Sequence, residues 1–283
     1  DATANWSAAT VPVDADNIDI LSTSQTLTTN IDQSGGGGDG LDPATVRIAG
    51  TYSGSLGDAT NALKFDGITA KLIVDVNGGP AQIIHLNTKS CPTTVVRNTG
   101  TNTYACLING THTAAYIFGG QSIRIGASAT ITTLYVLSEP GKPNPQIIIE
   151  SGATVTTLNA AAGSIVDLRA APATVNLSGS ARYRCDGLAA QTVTALVARG
   201  QSVAYLGGVG GTLTAGTTYD DGIITSTIED GGPSAWTYTA VTAFGGSVLT
   251  KDADVITAAT GAGGWIPYLG AAGSAVVIVG GHP

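Results

Sequence analysis

Apolar and polar residues alternate along this chain in short bursts, with the period of a strand rather than a helix. The bursts fall at residues 17–21, 45–48, 71–76, 82–86, 93–97, 123–125, 130–134, 147–150, 154–158 and 174–177. Gly, Asn, Asp, Pro or Ser bounds each one, which is how short strands between tight turns read. Thr, Val and Ile fill the bursts, whereas Glu occurs only at Glu139, Glu150 and Glu229 and Lys is sparse. These choices favour β-structure over helix. An all-β chain is predicted, either a sandwich or a solenoid.

An internal repeat separates the two. Residues 123–134 (IRIGASATITTL) align without gaps on residues 147–158 (IIIESGATVTTL), with seven of twelve positions identical. A looser third copy spans 165–177, in which Ala173-Thr-Val175 repeats the central triplet. The copies start 24 and 18 residues apart, and the longer interval holds the proline-rich stretch 138–145. Without that excursion the period is close to one β-helix coil of two or three short strands. The predicted fold is therefore a parallel β-helix, or β-solenoid, with capping segments at both ends. Ile, Val, Leu and Ala would line the interior, and Thr, Ser and Asn the exterior.

Three regions are expected. Residues 1–40 form an N-terminal cap or docking segment that ends in the run Ser34-Gly-Gly-Gly-Gly-Asp-Gly40. Residues 41–215 form the solenoid body. Residues 216–283 form a C-terminal cap or interaction region, rich in aromatics at Trp236, Tyr238, Phe244, Trp265 and Tyr268. The apolar run 275–279 reads as a buried strand, paired within the chain or with another subunit.

Composition narrows the function classes. The net charge is −8 and only 11% of residues are charged, so a basic nucleic-acid surface is not expected. Every apolar run is too short to span a membrane as a helix. Cys91, Cys106 and Cys185 are odd in number and match no zinc spacing, so they read as small buried hydrophobes, with a Cys91–Cys106 bridge the alternative. The chain opens at Asp1 without a signal-like segment, which leaves the compartment open.

No residue pattern calls for a catalytic centre, a metal or a cofactor. Asp220-Asp221, Glu229-Asp230 and Asp252 with Asp254 are the densest acidic sites, and a glycosidase needs two carboxylates across a cleft. All three lie beside turn residues, where solvated Asp is common. Asp14, Asp16 and Asp19 have oxygen donors for Ca²⁺ but lack the rest of an EF-hand. His85, His112 and His282 are scattered and no nucleophile motif accompanies them. The glycines at 207–211 lack the lysine of a phosphate loop. Thr130-Ile-Thr132, Thr154-Val-Thr156, Thr192-Val-Thr194 and Thr212-Leu-Thr214 would stack on a solenoid as rows of hydroxyls and methyls, a surface of the kind ice-binding solenoids present. The preference of Thr for strands accounts for the same residues.

The opening, Trp6-x4-Val11-Pro12-x3-Asp16-x-Ile18-x-Ile20, resembles the start of β-helical bacterial surface proteins and of structural proteins of tailed bacteriophages. Ala15 stands where those carry a glycine. The middle, from Leu72-Ile-Val-Asp-Val-Asn-Gly-Gly79 through Tyr116-Ile-Phe-Gly-Gly120 to Ile123-Arg-Ile125, is also similar to phage virion solenoids. The resemblance covers about the first half of the chain. It implies a non-enzymatic head-decoration or fibre protein on the virion, with a capsid protein lattice as partner and several copies, three around an axis, associating. It carries over no catalytic residue, membrane partner or nucleic acid.

Trp6, Val11 and Pro12 are the expected contacts at one end, and Trp236, Trp265 and Tyr268 at the other; each set is alternatively an intramolecular cap. The rival function is a carbohydrate-active β-helix of the tailspike or pectate-lyase kind, which needs convergent acids and aromatic platforms. An ice-binding or adhesive surface solenoid is the other.

Overall fold

A computed structural model describes residues 12–21, 32–33, 40–58, 61–76, 82–98, 106–119, 123–142, 144–185, 189–226, 235–250, 254–266 and 275–279. Among them there is no helix, and every strand pairing is parallel. The chain winds as a β-solenoid of stacked parallel coils.

One coil shows how the sequence closes a turn. Gln146–Ile149 forms a first face, and Thr154–Ala161 forms the second and third. Within Thr154–Ala161 the strict alternation slips once: Val155 and Leu158 both point inward, while Thr156 and Thr157 between them both point outward. A period-2 strand does this only by bending, so the slip is a corner. The same slip recurs between Val193 and Leu196, Leu213 and Gly216, Tyr238 and Val241, and Ile256 and Ala259. Each coil thus has three faces and one shared interior.

The interior is a set of lengthwise stacks. On the second face Ile131 lies opposite Val155, and Val193, Leu213, Tyr238 and Ile256 follow one another in register. On the third face the order is Leu134, Leu158, Val175, Leu196, Gly216 and Val241. Small residues make room for large ones. A Cβ added to Gly216 would lie 2.9 Å from Leu213 Cδ2 and 3.3 Å from Ile224 Cδ1.

At Gly110 a corner is taken with φ +95°, where any Cβ would sit 1.9 Å from the Thr88 carbonyl oxygen. Only glycine fits there. Most backbone groups of a coil bond to the coils above and below, so the fold needs no long-range closure beyond its neighbours.

The duplicated segment behaves as the sequence suggests: Ile123 lies opposite Ile147 and Leu134 opposite Leu158, one full coil later. The third copy is shifted. Val166, not Ile165, lies opposite Ile147, and Val175 lies opposite Leu158 rather than Val155. Thr174-Val175 therefore sits past the corner, because this coil is shorter and only Ala171-Pro172-Ala173 precedes it there.

Coil stacking also continues beyond residue 215, which lies inside Gly211–Tyr219. Ala215, Ala240, Ala258 and Ala275 hold equivalent positions. Ala275–Val279 pairs with Val255–Ala262 of its own chain. At the other end Asn17–Ile20 already pairs with Thr45–Ile48 as a coil strand.

Candidate functional site

The outward positions differ sharply from face to face. On the third face, the outward residues from Ala114 to Ala262 include a single charge, Arg199. The rest are Ala, Thr, Asn, Ser, Val, Leu and aromatics. Charge collects at one end only, where Arg47 and Arg97 flank Asp75 at 3.8 and 3.6 Å.

Two aromatic groups stand on this face. Tyr116 and Tyr135 are register partners on adjacent coils, with centroids 4.6 Å apart and planes 3° from parallel. Phe118 stacks beside Tyr116, and the Arg97 guanidinium lies 5.6 Å from the Phe118 centroid. Further along, Tyr219 and Phe244 stack at 5.2 Å, with Arg199 4.8 Å over Tyr219. The separation of the Tyr116–Tyr135 pair is the strand spacing itself, so their planes lie across the solenoid axis and their edges face outward. A sugar platform needs a free ring face; here most faces are covered by another ring or by a guanidinium. Between the groups, Asn176 Nδ2 donates to Asn159 Oδ1 at 2.9 Å, continuing the row.

The second face carries the Thr-x-Thr motifs. Thr111 lies opposite Thr130 and Thr130 opposite Thr154; Thr192 lies opposite Thr212 and Thr212 opposite Thr237. The sequence reading named four motifs. The structure adds Thr111-His-Thr113 before them and Thr237-Tyr-Thr239 after them, flanking inward residues His112 and Tyr238. Bulky central residues had disguised these two as unrelated. Between the two runs the coil carrying Ala171-Pro172-Ala173 lacks hydroxyls, and Gln191 Oε1 accepts from Ala171 N at 2.8 Å, tying the next coil across the gap.

The residues expected at the ends fall in different places. Trp6, Val11 and Tyr268 lie outside the described residues. Pro12 is half-buried. Trp236 is 0% exposed and belongs to the interior, not to a contact surface. It alternates inward with Tyr238, faces glycine at Gly211 on the preceding coil, and donates from its indole Nε1 to the Gly207 carbonyl at 3.1 Å. Trp265 is 63% exposed, at the last described position of the first face, opposite Ser247.

The described acidic candidates do not converge. Asp220 and Asp221 sit exposed on a turn, Asp220 with φ 55°. Glu229, Asp230 and Asp252 lie outside the described residues. Asp254 is buried, where its Oδ1 accepts from Trp236 N at 2.8 Å and its Oδ2 from the Ser226 hydroxyl. Asp14 and Asp16 accept from the backbone N–H groups of Asp42 and Val13 at 3.0 and 2.9 Å, which makes them turn caps. Among the described residues no group of three His, Cys, Asp or Glu side chains is placed to hold a metal ion. No helix there is long and apolar enough to cross a membrane.

Cys91, Cys106 and Cys185 are free and buried, and burial pushes the Cys106 thiol up to about 12. His112 is also interior. Its Nε2 donates to the Asn109 carbonyl at 3.0 Å, and its Nδ1 lies 2.8 Å from the Thr94 hydroxyl, which can donate to the neutral ring or accept from the charged one. Burial holds its pKa below the ordinary value, against the opposing pull of the Asn109 carbonyl. His85 is shifted down by burial too, partly offset by Asp58, and His282 lies outside the described residues.

No protein-family model, curated protein or solved structure matches the chain.

Proposed function

We propose that this chain is a non-enzymatic structural protein of a virus particle, a capsid decoration or fibre, whose copies associate side by side through the third face. The observation that carries the reading is that long face with one charge in eight successive coils and its rings turned edge-outward. Charge depletion with aromatic enrichment marks the core of protein interfaces. A parallel solenoid supplies the flat, repeating surface that identical neighbours can share around a symmetry axis. Exposed Trp265 is available as a contact at the C-terminal end of the first face, and the virion setting rests on the sequence resemblance alone.

The carbohydrate-active alternative draws less support. Its described rings are largely covered, and of its described candidate acids Asp254 is buried and bonded while Asp220 and Asp221 lie exposed on a turn.

Two measurements test the proposal. Sedimentation of the purified chain gives an oligomer, which Tyr135→Lys or Phe244→Lys converts to folded monomer. Quantitative mass spectrometry of purified particles gives a fixed copy number. A wild-type monomer together with its absence from particles overturns the reading.

A further inference from the structure

We infer that the second face is an ice-binding surface, separate in position and in chemistry from the third face. The first support is specificity of placement. Strand preference brings Thr to outward positions generally, and the third face carries it singly, at Thr133, Thr157, Thr174, Thr217, Thr242 and Thr260. On the first face the corresponding outward pairs are Ile165 and Asp167, Arg182 and Arg184, and Val203 and Tyr205. Threonine is absent from all three. On the second face six coils place Thr on both sides of the inward residue, from Thr111-His-Thr113 to Thr237-Tyr-Thr239. Strand preference gives no reason for the paired placement, which the outward positions of the third face lack.

The second support is geometry. In-register strands repeat every ~4.8 Å across the sheet, and residues i and i+2 are ~6.6 Å apart along a strand. Each run of three coils therefore presents a rectangular grid of hydroxyl and methyl groups, fixed because the β-branched side chain is stiff at χ1. All but one of these threonines are exposed, the half-buried Thr212 being the exception, and no charge lies among them.

A soluble small ligand is held by a concave pocket with a few placed polar groups. This face offers repetition in two directions instead, which only a ligand that itself repeats can use. The oxygen lattice at the surface of hexagonal ice is such a ligand, with repeats of similar size. Methyl rows order the first water layer, and hydroxyl rows anchor it.

The test uses the full chain labelled with a fluorophore and a slowly growing ice hemisphere. Wild type is expected to be incorporated into the ice and to shape single crystals. Thr156→Tyr and Thr194→Tyr break the grid in each run while keeping a good strand residue, and are expected to lose both behaviours with unchanged far-ultraviolet circular dichroism and melting temperature. Val203→Tyr on the first face is the control and is expected to retain both. Exclusion of folded wild type from ice together with salt, or incorporation of the two threonine variants equal to that of wild type, would overturn the inference. A monomer in the sedimentation test leaves this outcome unaffected, so the two proposals fail separately.

Discussion

At the scale of single residues, the interior is not uniformly apolar, and its polar members set how the protein responds to pH. His112 stands in a column otherwise made of Cys91, Ile131 and Val155. Its neutral tautomer satisfies both ring nitrogens, through the Asn109 carbonyl and the Thr94 hydroxyl, with Cys91 Sγ 3.4 Å from the same hydroxyl. No charged group faces it from these contacts. Because burial lowers the folded-state pKa, the unfolded chain binds the proton more tightly. The stability tied to the neutral ring is fully present above the unfolded value of about 6.5, and is lost as pH falls through the folded one. His112→Leu removes this component. In urea titrations from about pH 8 to about pH 5, the midpoint advantage of wild type over the variant is expected to shrink with acid. A constant difference would mean that the imidazole does not change protonation between the two states.

At the scale of elements, much of the coil was legible because period-2 alternation and turn residues are local signals. Residues 45–48 and 71–76 are strands at the expected bounds, and the 123–134 and 147–158 copies stack in register. What alternation hides is the corner. Segments 123–125 and 130–134 read as two strands, yet they form one strand, Ile123–Leu137, that bends. The same slip of parity moved Thr174-Val175 to a different face from their look-alikes. The function-bearing pattern was half visible: Thr-x-Thr is a string, but its columns depend on loop lengths that no local rule supplies. Trp236, in an aromatic-rich region, reads equally as cap or contact, and only the glycine opposite it decides.

The corner rule makes a sharp prediction. Leu158, just past the slip, is 0% exposed, whereas Thr156, just before it, is exposed. Leu158→Ala is expected to cost about 2–5 kcal/mol through loss of burial and the cavity left behind. Thr156→Ala is expected to stay within about 0.5 kcal/mol. Chemical denaturation at unchanged slope measures both, and comparable costs would mean that the corner lies elsewhere.

At the scale of the molecule, stability accumulates one coil at a time. Each coil bonds to the coil before and the coil after, so its persistence depends on nearest neighbours rather than on a single central core. The middle coils, around residues 131–198, have such neighbours on both sides and, on the third face, a continuous inward stack of Leu134, Leu158, Val175 and Leu196. Toward the C-terminus the third-face stack thins: Ala259 and Gly261 take positions that Leu158 and Ala160 fill earlier. Opening should therefore start at the ends and move inward, with the free energy of opening rising coil by coil toward the centre. Native-state hydrogen exchange followed by mass spectrometry reads this directly. Amides of 155–158 and 193–198 are expected to exchange only through the largest openings, and those of 17–20 and 255–262 through smaller ones. Uniform protection along the whole chain would mean that the coils unfold as one cooperative unit and that the ends are as well supported as the middle.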